Sequence, residues 1–257
     1  MTPGRLQAER LVLAVFGGVL VAFLVVPLAA LVLGSTTSEL RGGLANPLVW
    51  PALRLSLLTT SLSLFVVVAF GTPLAWSLAR TQSGWARAIE TAIELPIVVP
   101  PAVAGVALLL AFGRRGLLAG WLYPEGWSVT FTTAAVVMAE VFVSAPFFVQ
   151  AAVSAFRRID PKLLLVAQTF GATPLRIFFR VALPLAAPGL FAGAAMSWAR
   201  SLGEFGATLM FAGNLQGRTQ TLPLAIYTAL ESDLATARAL SVVLVVVAFA
   251  LLLFVRA

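Results

Sequence analysis

At 257 residues the chain is 60% hydrophobic and only 11% charged, with a mean hydropathy of +1.01; that is too little charge to clothe a soluble domain, and the composition is that of a membrane protein. Its net charge of +7 reads as basic loops orienting a membrane chain in a lipid bilayer, with no nucleic-acid partner implied. Cysteine and histidine are both absent, which excludes disulfides and thiolate metal sites and removes the usual general base together with the commonest metal ligand.

Crossing about 30 Å of hydrocarbon takes about 20 mostly apolar residues. Six stretches meet or approach that length: 11–33, 55–78, 95–112, 129–156 (interrupted by Glu140), 181–212 (interrupted by Arg200 and Glu204) and 239–255. The first follows Arg5 and Arg10 as a signal peptide would, but it is too long for an h-region and no small-residue cleavage site follows, so it reads as a retained anchor. Six spans put both termini on one side. With the termini in the cytoplasm, ten basic residues lie inside (Arg5, Arg10, Arg80, Arg87, Arg157, Arg158, Lys162, Arg176, Arg180, Arg256) and six outside (Arg41, Arg54, Arg114, Arg115, Arg218, Arg238). That sense agrees with the positive-inside rule. The expected fold is therefore an all-α membrane protein of six transmembrane helices, multi-pass in the cytoplasmic (inner) membrane.

The third and fifth spans open alike. "LPIVVPPAVAG" at 95–105 and "LPLAAPGLFAG" at 183–193 share Leu-Pro, a proline four residues on, and a terminal Ala-Gly. Proline removes a backbone hydrogen bond and kinks a helix, while Gly and Ala permit close helix contact. Interrupted spans at corresponding positions point to a transport pathway, which makes Pro96, Pro100, Pro101, Pro184 and Pro188 candidates to line it; ordinary kinked packing is the alternative. Arg114 and Arg115 close the third span in "GRRG" and read as solvated interface residues.

Between the fourth and fifth spans, "DP" at 160–161 starts a short helix over 163–170, since Asp caps and Pro suits the first turn. Gly171 ends it in a left-handed C-cap, and Thr173-Pro174 starts a second short helix over 175–181. The product is a helix–turn–helix on the cytoplasmic face, either a connecting amphipathic loop or a docking element.

In the fifth span Arg200 and Glu204 are i,i+4 and can pair. A lone arginine at mid-membrane costs about 2.5–3.5 kcal/mol on insertion scales, so a partner or a wet cavity is expected. The pair either locks this helix to a neighbour or places Arg200 along an anion's path, with Glu204 orienting it and preventing tight trapping. Glu140 is the other acid within a span, with Arg200 or Arg54 as possible partners. No catalytic triad or metal site can be assembled from these residues, and an ion-coupled secondary transporter relaying through Glu140 and Glu204 is the main rival to a driven permease. The only lysine, Lys162, follows Pro161, so the chain has no G-K-[ST] phosphate loop and is not itself an ATPase.

"LLLVAQTFGATPLRIFFRVALP" at 163–184 resembles the loop by which ABC-importer permeases grip their ATPase subunits, E-A-A-x3-G-x9-I-x-L-P. Aligned on Gly171, the alanines fall at Val166 and Ala167, the isoleucine at Val181, and the glutamate at Leu165, where this chain departs from the pattern. The segments at 95–116 and 199–231 are similar to those of molybdate/tungstate-type permeases, with sulfate and thiosulfate permeases close behind. The resemblance implies a type I ABC importer permease domain over 52–253, carrying the coupling loop at 155–180, with 1–51 an additional N-terminal helix and external loop. It implies a non-catalytic homodimer beside two nucleotide-binding ATPase subunits, which hold the ATP and Mg, and an extracytoplasmic oxyanion-binding protein; no cofactor or metal is expected on this chain. It implies that Ala167, Gly171, Ala172, Pro174 and Leu175 form the coupling loop, that Arg200 and Glu204 join the prolines along the pathway, and that Arg114 and Arg115 lie where the binding protein docks.

Overall fold

The computed structural model describes residues 3–123 and 127–256, which form thirteen α-helices and one π-helical turn with no strand among the described residues. Four helices are long and apolar enough to cross a bilayer: Leu13–Leu33, Val49–Arg80, Thr133–Arg157 and Pro174–Leu202. Two of the six expected spans are not single helices. Residues 95–112 divide into the end of α4 (Gly84–Val98) and all of α5 (Pro101–Phe112), bent by 117°. The physical reason is Pro100-Pro101, which withholds two consecutive amide donors and fixes the backbone out of helical register. Counted as one broken span, this pair makes five, and the apolar helix Leu234–Ala250 is shorter. Residues 181–212 likewise divide into α10 (Leu183–Leu202) and α11 (Gly206–Ala212), separated at Gly203-Glu204-Phe205.

The described chain divides into two units. One comprises the residues up to Asn46 with Ile226–Val247. Its α1 (Pro3–Leu33) exposes large apolar side chains around its circumference, from Leu13 and Phe16 to Val32 and Leu33, as a lipid-facing helix should. α2 (Thr37–Leu44) starts on a capping box in which the Thr36 hydroxyl accepts from the Glu39 amide and the Glu39 carboxylate accepts from the Thr36 amide. These bonds hold the Glu39 carboxyl below the ordinary carboxylate range. Asp233 caps the start of α13 (Leu234–Arg256), accepting from the Thr236 hydroxyl and from the amides of Thr236 and Ala235, and its carboxyl is lowered for the same reason. Asn46 donates to the Thr236 hydroxyl at 3.1 Å and so ties α2 to α13.

The other unit comprises Pro47–Ala225 with the residues from Ala248 on. Its centre is a bundle of α3 (Val49–Arg80), α7 (Thr133–Arg157) and α10, packed around Phe148, Val149, Ala152, Val153 and Phe156. Glycines let these helices meet closely: a Cβ at Gly71 would stand 2.9 Å from the Phe148 ring, and one at Gly193 would stand 2.7 Å from the Ala151 Cβ. A polar seam runs through the bundle. Thr59 donates to Glu140 Oε1 at 2.8 Å, Ser63 and Ser201 share a hydrogen bond, and the Ser197 hydroxyl donates to the Ser144 carbonyl. Beside the bundle, α5 and α11 pack against α7 around Ala104, Leu108, Ala139 and Phe211.

Candidate functional site

Two places concentrate chemistry. The first is the segment at 155–180. Asp160 caps α8 (Pro161–Thr169), accepting the Lys162 amide at 2.9 Å, with Pro161 in the first turn. Gly171 follows at φ +76°, its amide donating to the Gln168 carbonyl and the Ala172 amide to the Ala167 carbonyl. Thr173 then caps α9 (Pro174–Ile177) through the Arg176 amide, and a π-helical turn, Phe178–Ala182, runs into α10. Ala167, Gly171, Ala172, Pro174 and Leu175 therefore share one tight unit. Its outer face is apolar and uncovered, with Phe170 86%, Leu175 68% and Leu165 58% exposed.

Behind that face, Trp76, Phe156 and Phe178 form a ring cluster with centroids 5.3–6.3 Å apart, and the Arg80 guanidinium lies 4.8 Å over Trp76. Arg157 pairs with Glu90 of α4 at 2.5 Å. A cavity of about 950 Å³ opens between these groups, bounded by Trp76, Arg80, Arg87, Arg157, Leu165 and Gln168. Leu165 thus borders a cavity that three arginines and Glu90 also line. The Glu90–Arg157 pair and the arginine-lined cavity were not visible in sequence, because they join α4, α7 and α8 across long separations.

The second place is the joint between α10 and α11. Glu204 is 2% exposed: Oε1 accepts the Ala207 amide at 2.8 Å, while Oε2 lies 2.8 Å from the Arg200 guanidinium as an ion pair outside hydrogen-bond geometry, with no other partner among the described residues. Arg200 keeps 26% of its side chain open. α11 also sits directly on α5, since a Cβ at Gly206 would come 2.9 Å from the Pro101 Cβ, and one at Gly105 would come 2.8 Å from the Ala207 carbonyl oxygen. The joint therefore brings Arg200, Glu204 and Pro101 into one neighbourhood.

The remaining candidates fall elsewhere. Pro96 lies inside α4, and Pro100 at the break is exposed. Pro184 occupies the first turn of α10, which continues past Pro188 without a break, so the two proline segments that echo each other in sequence differ in structure. Arg114 and Arg115 are exposed on the turn closed by the Gly116 amide and the Gly113 carbonyl. Glu140 bonds to Thr59 and to neither arginine weighed for it; its Oε2 has no hydrogen-bond partner among the described residues, and Arg54 is exposed. Among the described residues no group of three or more Asp and Glu could hold a metal ion.

A family model described as "Binding-protein-dependent transport system inner membrane component" matches residues 71–257. The chain is 44% identical over 237 residues to the molybdenum transport system permease protein ModB of Mycobacterium tuberculosis, covering 92% of this chain and 90% of that relative. It is 39% identical over 184 residues to ModB of Escherichia coli, covering 71% and 80%. Over 195 residues it is 41% identical to the putative molybdenum transport system permease protein YvgM of Bacillus subtilis, covering 74% and 85%. Among solved structures, a bacterial alginate ABC transporter in complex with its pentasaccharide-bound periplasmic protein superposes with a TM-score of 0.76 at 18% identity, covering 98% and 94%. The inward-facing MetNI methionine ABC transporter superposes at 0.65 with 20% identity, covering 81% and 93%. These two establish the fold.

Proposed function

The chain belongs to the family of binding-protein-dependent transport system inner membrane components, and from that premise we propose that it is the permease subunit of an ATP-driven importer for molybdate. The observation that carries the substrate is the 44% identity to a molybdenum permease over nearly the whole of both chains. The chain is a non-catalytic membrane subunit. It acts as a homodimer, with six crossings per copy and both termini in the cytoplasm, beside two ATPase subunits that hold ATP and Mg. Residues 52–253 form the permease domain proper and 1–51 an added anchor and external loop.

The physical case for a second copy is the α4–α5 break. Pro100 and much of its surroundings are exposed in a single chain, and hydrocarbon cannot satisfy an opened backbone. Such a break is tolerated where it faces protein or a wet cavity, which a dimer axis supplies.

Energy enters through the loop at 155–180. Its exposed Phe170, Leu175 and Leu165 offer the apolar face that docks on the ATPase, and the Gly171 turn sets the angle between the two short helices. Closure of the ATPase pair on ATP draws the loops of the two copies together, and the movement passes through the π-helical turn into α10. The half-helices α5 and α11 of each copy then move together and open the path toward the outside, where a loaded oxyanion-binding protein sits near Arg114 and Arg115. The dianion passes Arg200 and, after hydrolysis, leaves inward.

The test is ATPase stimulation of the reconstituted complex by binding proteins loaded with molybdate, tungstate or sulfate. Molybdate is expected to stimulate most; equal stimulation by the sulfate form would sink the molybdate assignment.

A further inference from the structure

We infer that Glu204 is a positioning residue which keeps the Arg200 guanidinium releasable and ties it to α11, so that the crossing dianion itself loosens the α10–α11 joint. This rests on the reading of Arg200 as a pathway residue.

On an unbroken helix an i,i+4 pair stabilises only its own surface. Here the helix has ended at Leu202, and the turn at 203–205 carries the Glu204 carboxylate back under Arg200. One oxygen faces the guanidinium as an ion pair without an aligned hydrogen bond, and the other holds the first turn of α11 through the Ala207 amide. A single carboxylate thus joins a cation on α10 to the half-helix beyond the break. That half-helix cannot shift alone, because Gly206 and Gly105 bring its backbone against α5 with no room for a Cβ.

The exposures of the two partners differ in a useful sense. The carboxylate is 1% exposed and the guanidinium side chain 26%, so an anion reaches Arg200 from its open side without first displacing Glu204. A guanidinium has five N–H donors in a planar fork and can contact both carboxylate and oxyanion during the exchange. Unopposed at this depth, Arg200 would hold a dianion tightly and stall transport; the buried carboxylate competes and prevents that. As the dianion draws the guanidinium away, Glu204 is left as a buried charge without its counterion, a strongly unfavourable state that moving the joint toward water relieves. Arrival of substrate and release of α11, together with α5, from α10 become one event.

The experiment uses the complex with its ATPase subunit in lipid nanodiscs, with Glu204→Gln, Arg200→Gln/Glu204→Gln and wild type. The amide oxygen of Glu204→Gln still accepts from Ala207, so the cap survives while the counter-charge is removed. Equilibrium retention of molybdate without binding protein should be at least tenfold tighter in Glu204→Gln than in wild type, and should return to wild type or weaker in the double variant. Saturating molybdate should speed hydrogen exchange in residues 206–212 at least threefold in wild type and leave the double variant unchanged. Retention in Glu204→Gln equal to wild type, or a double variant that retains as tightly as Glu204→Gln, overturns the inference. So does wild-type exchange indifferent to molybdate, tungstate and sulfate alike. If Glu204→Gln fails to assemble, the double variant and wild type decide alone: exchange in residues 206–212 that the anions speed in both, or in neither, overturns the inference. Tungstate and sulfate are run in parallel, so a wild type that responds only to sulfate refutes the molybdate assignment and not the role of Glu204.

Discussion

Gly171 stands at φ +76° with nothing within 4 Å of where a Cβ would be, so a side chain there meets no neighbour and suffers only its own backbone. The left-handed region costs an L-residue roughly 1–2 kcal/mol, more when the side chain is β-branched. Gly171→Val should abolish transport while leaving membrane insertion intact, because α8 and α9 can no longer keep their angle; uptake at the wild-type rate would refute the turn as the coupling geometry. This residue was legible in sequence, as were the Asp160 and Thr173 caps, because each acts on amides within three residues of itself. Glu204 was only half legible. Its spacing to Arg200 announces a pair, but its capping bond exists only because α10 stops at Leu202, and Gly203 inside an apolar run does not announce a stop.

At the scale of the element, the two broken spans explain what counting apolar residues misses. Hydropathy registers composition and is blind to direction, so 95–112 reads as a single crossing although it bends by 117°, and 181–212 as one although its helix stops at Leu202. Pro100-Pro101 carries a visible signal of the first break, whereas the π-helical turn at Phe178–Ala182 has none, since its residues are ordinary helix formers or aromatics. The half-helices behave as one body through their glycine contacts. Gly206→Val would drive methyl groups into the Pro101–Ala102 backbone, an overpacking of about 1–3 kcal/mol. The expected result is a complex that assembles with its ATPase, shows a lowered thermal midpoint and has lost molybdate uptake. An unaltered midpoint together with unaltered uptake would show that α5 and α11 are not tightly joined.

At the scale of the whole molecule, the membrane class was readable from composition, and the helix–turn–helix at 155–180 from the spacing around Gly171. Where the helices bend was not, because hydropathy does not register direction. With no phosphate loop of its own, the chain needs its energy from outside, and the exposed apolar face of 155–180 is where it is expected to arrive. A tagged protein extracted in mild detergent should therefore carry a nucleotide-binding subunit in near-equimolar amount, and Leu175→Asp should strip it off without disturbing the fold, since Leu175 is exposed. Retention of the ATPase by that variant would move the docking surface elsewhere.

The Arg200–Glu204 joint also has an electrical side. One positive and one negative group sum to zero, so the pair carries no net fixed charge, and on the proposed path it would offer a dianion no deep potential well. Each elementary charge moved through 100 mV involves about 2.3 kcal/mol, which for a doubly charged anion drawn toward a negative interior is roughly 4.6 kcal/mol uphill per 100 mV. Fixed charges along a route change its wells and barriers but not that total. In the proposed complex the work falls on nucleotide hydrolysis, and depolarising the membrane should lighten the load on each turnover.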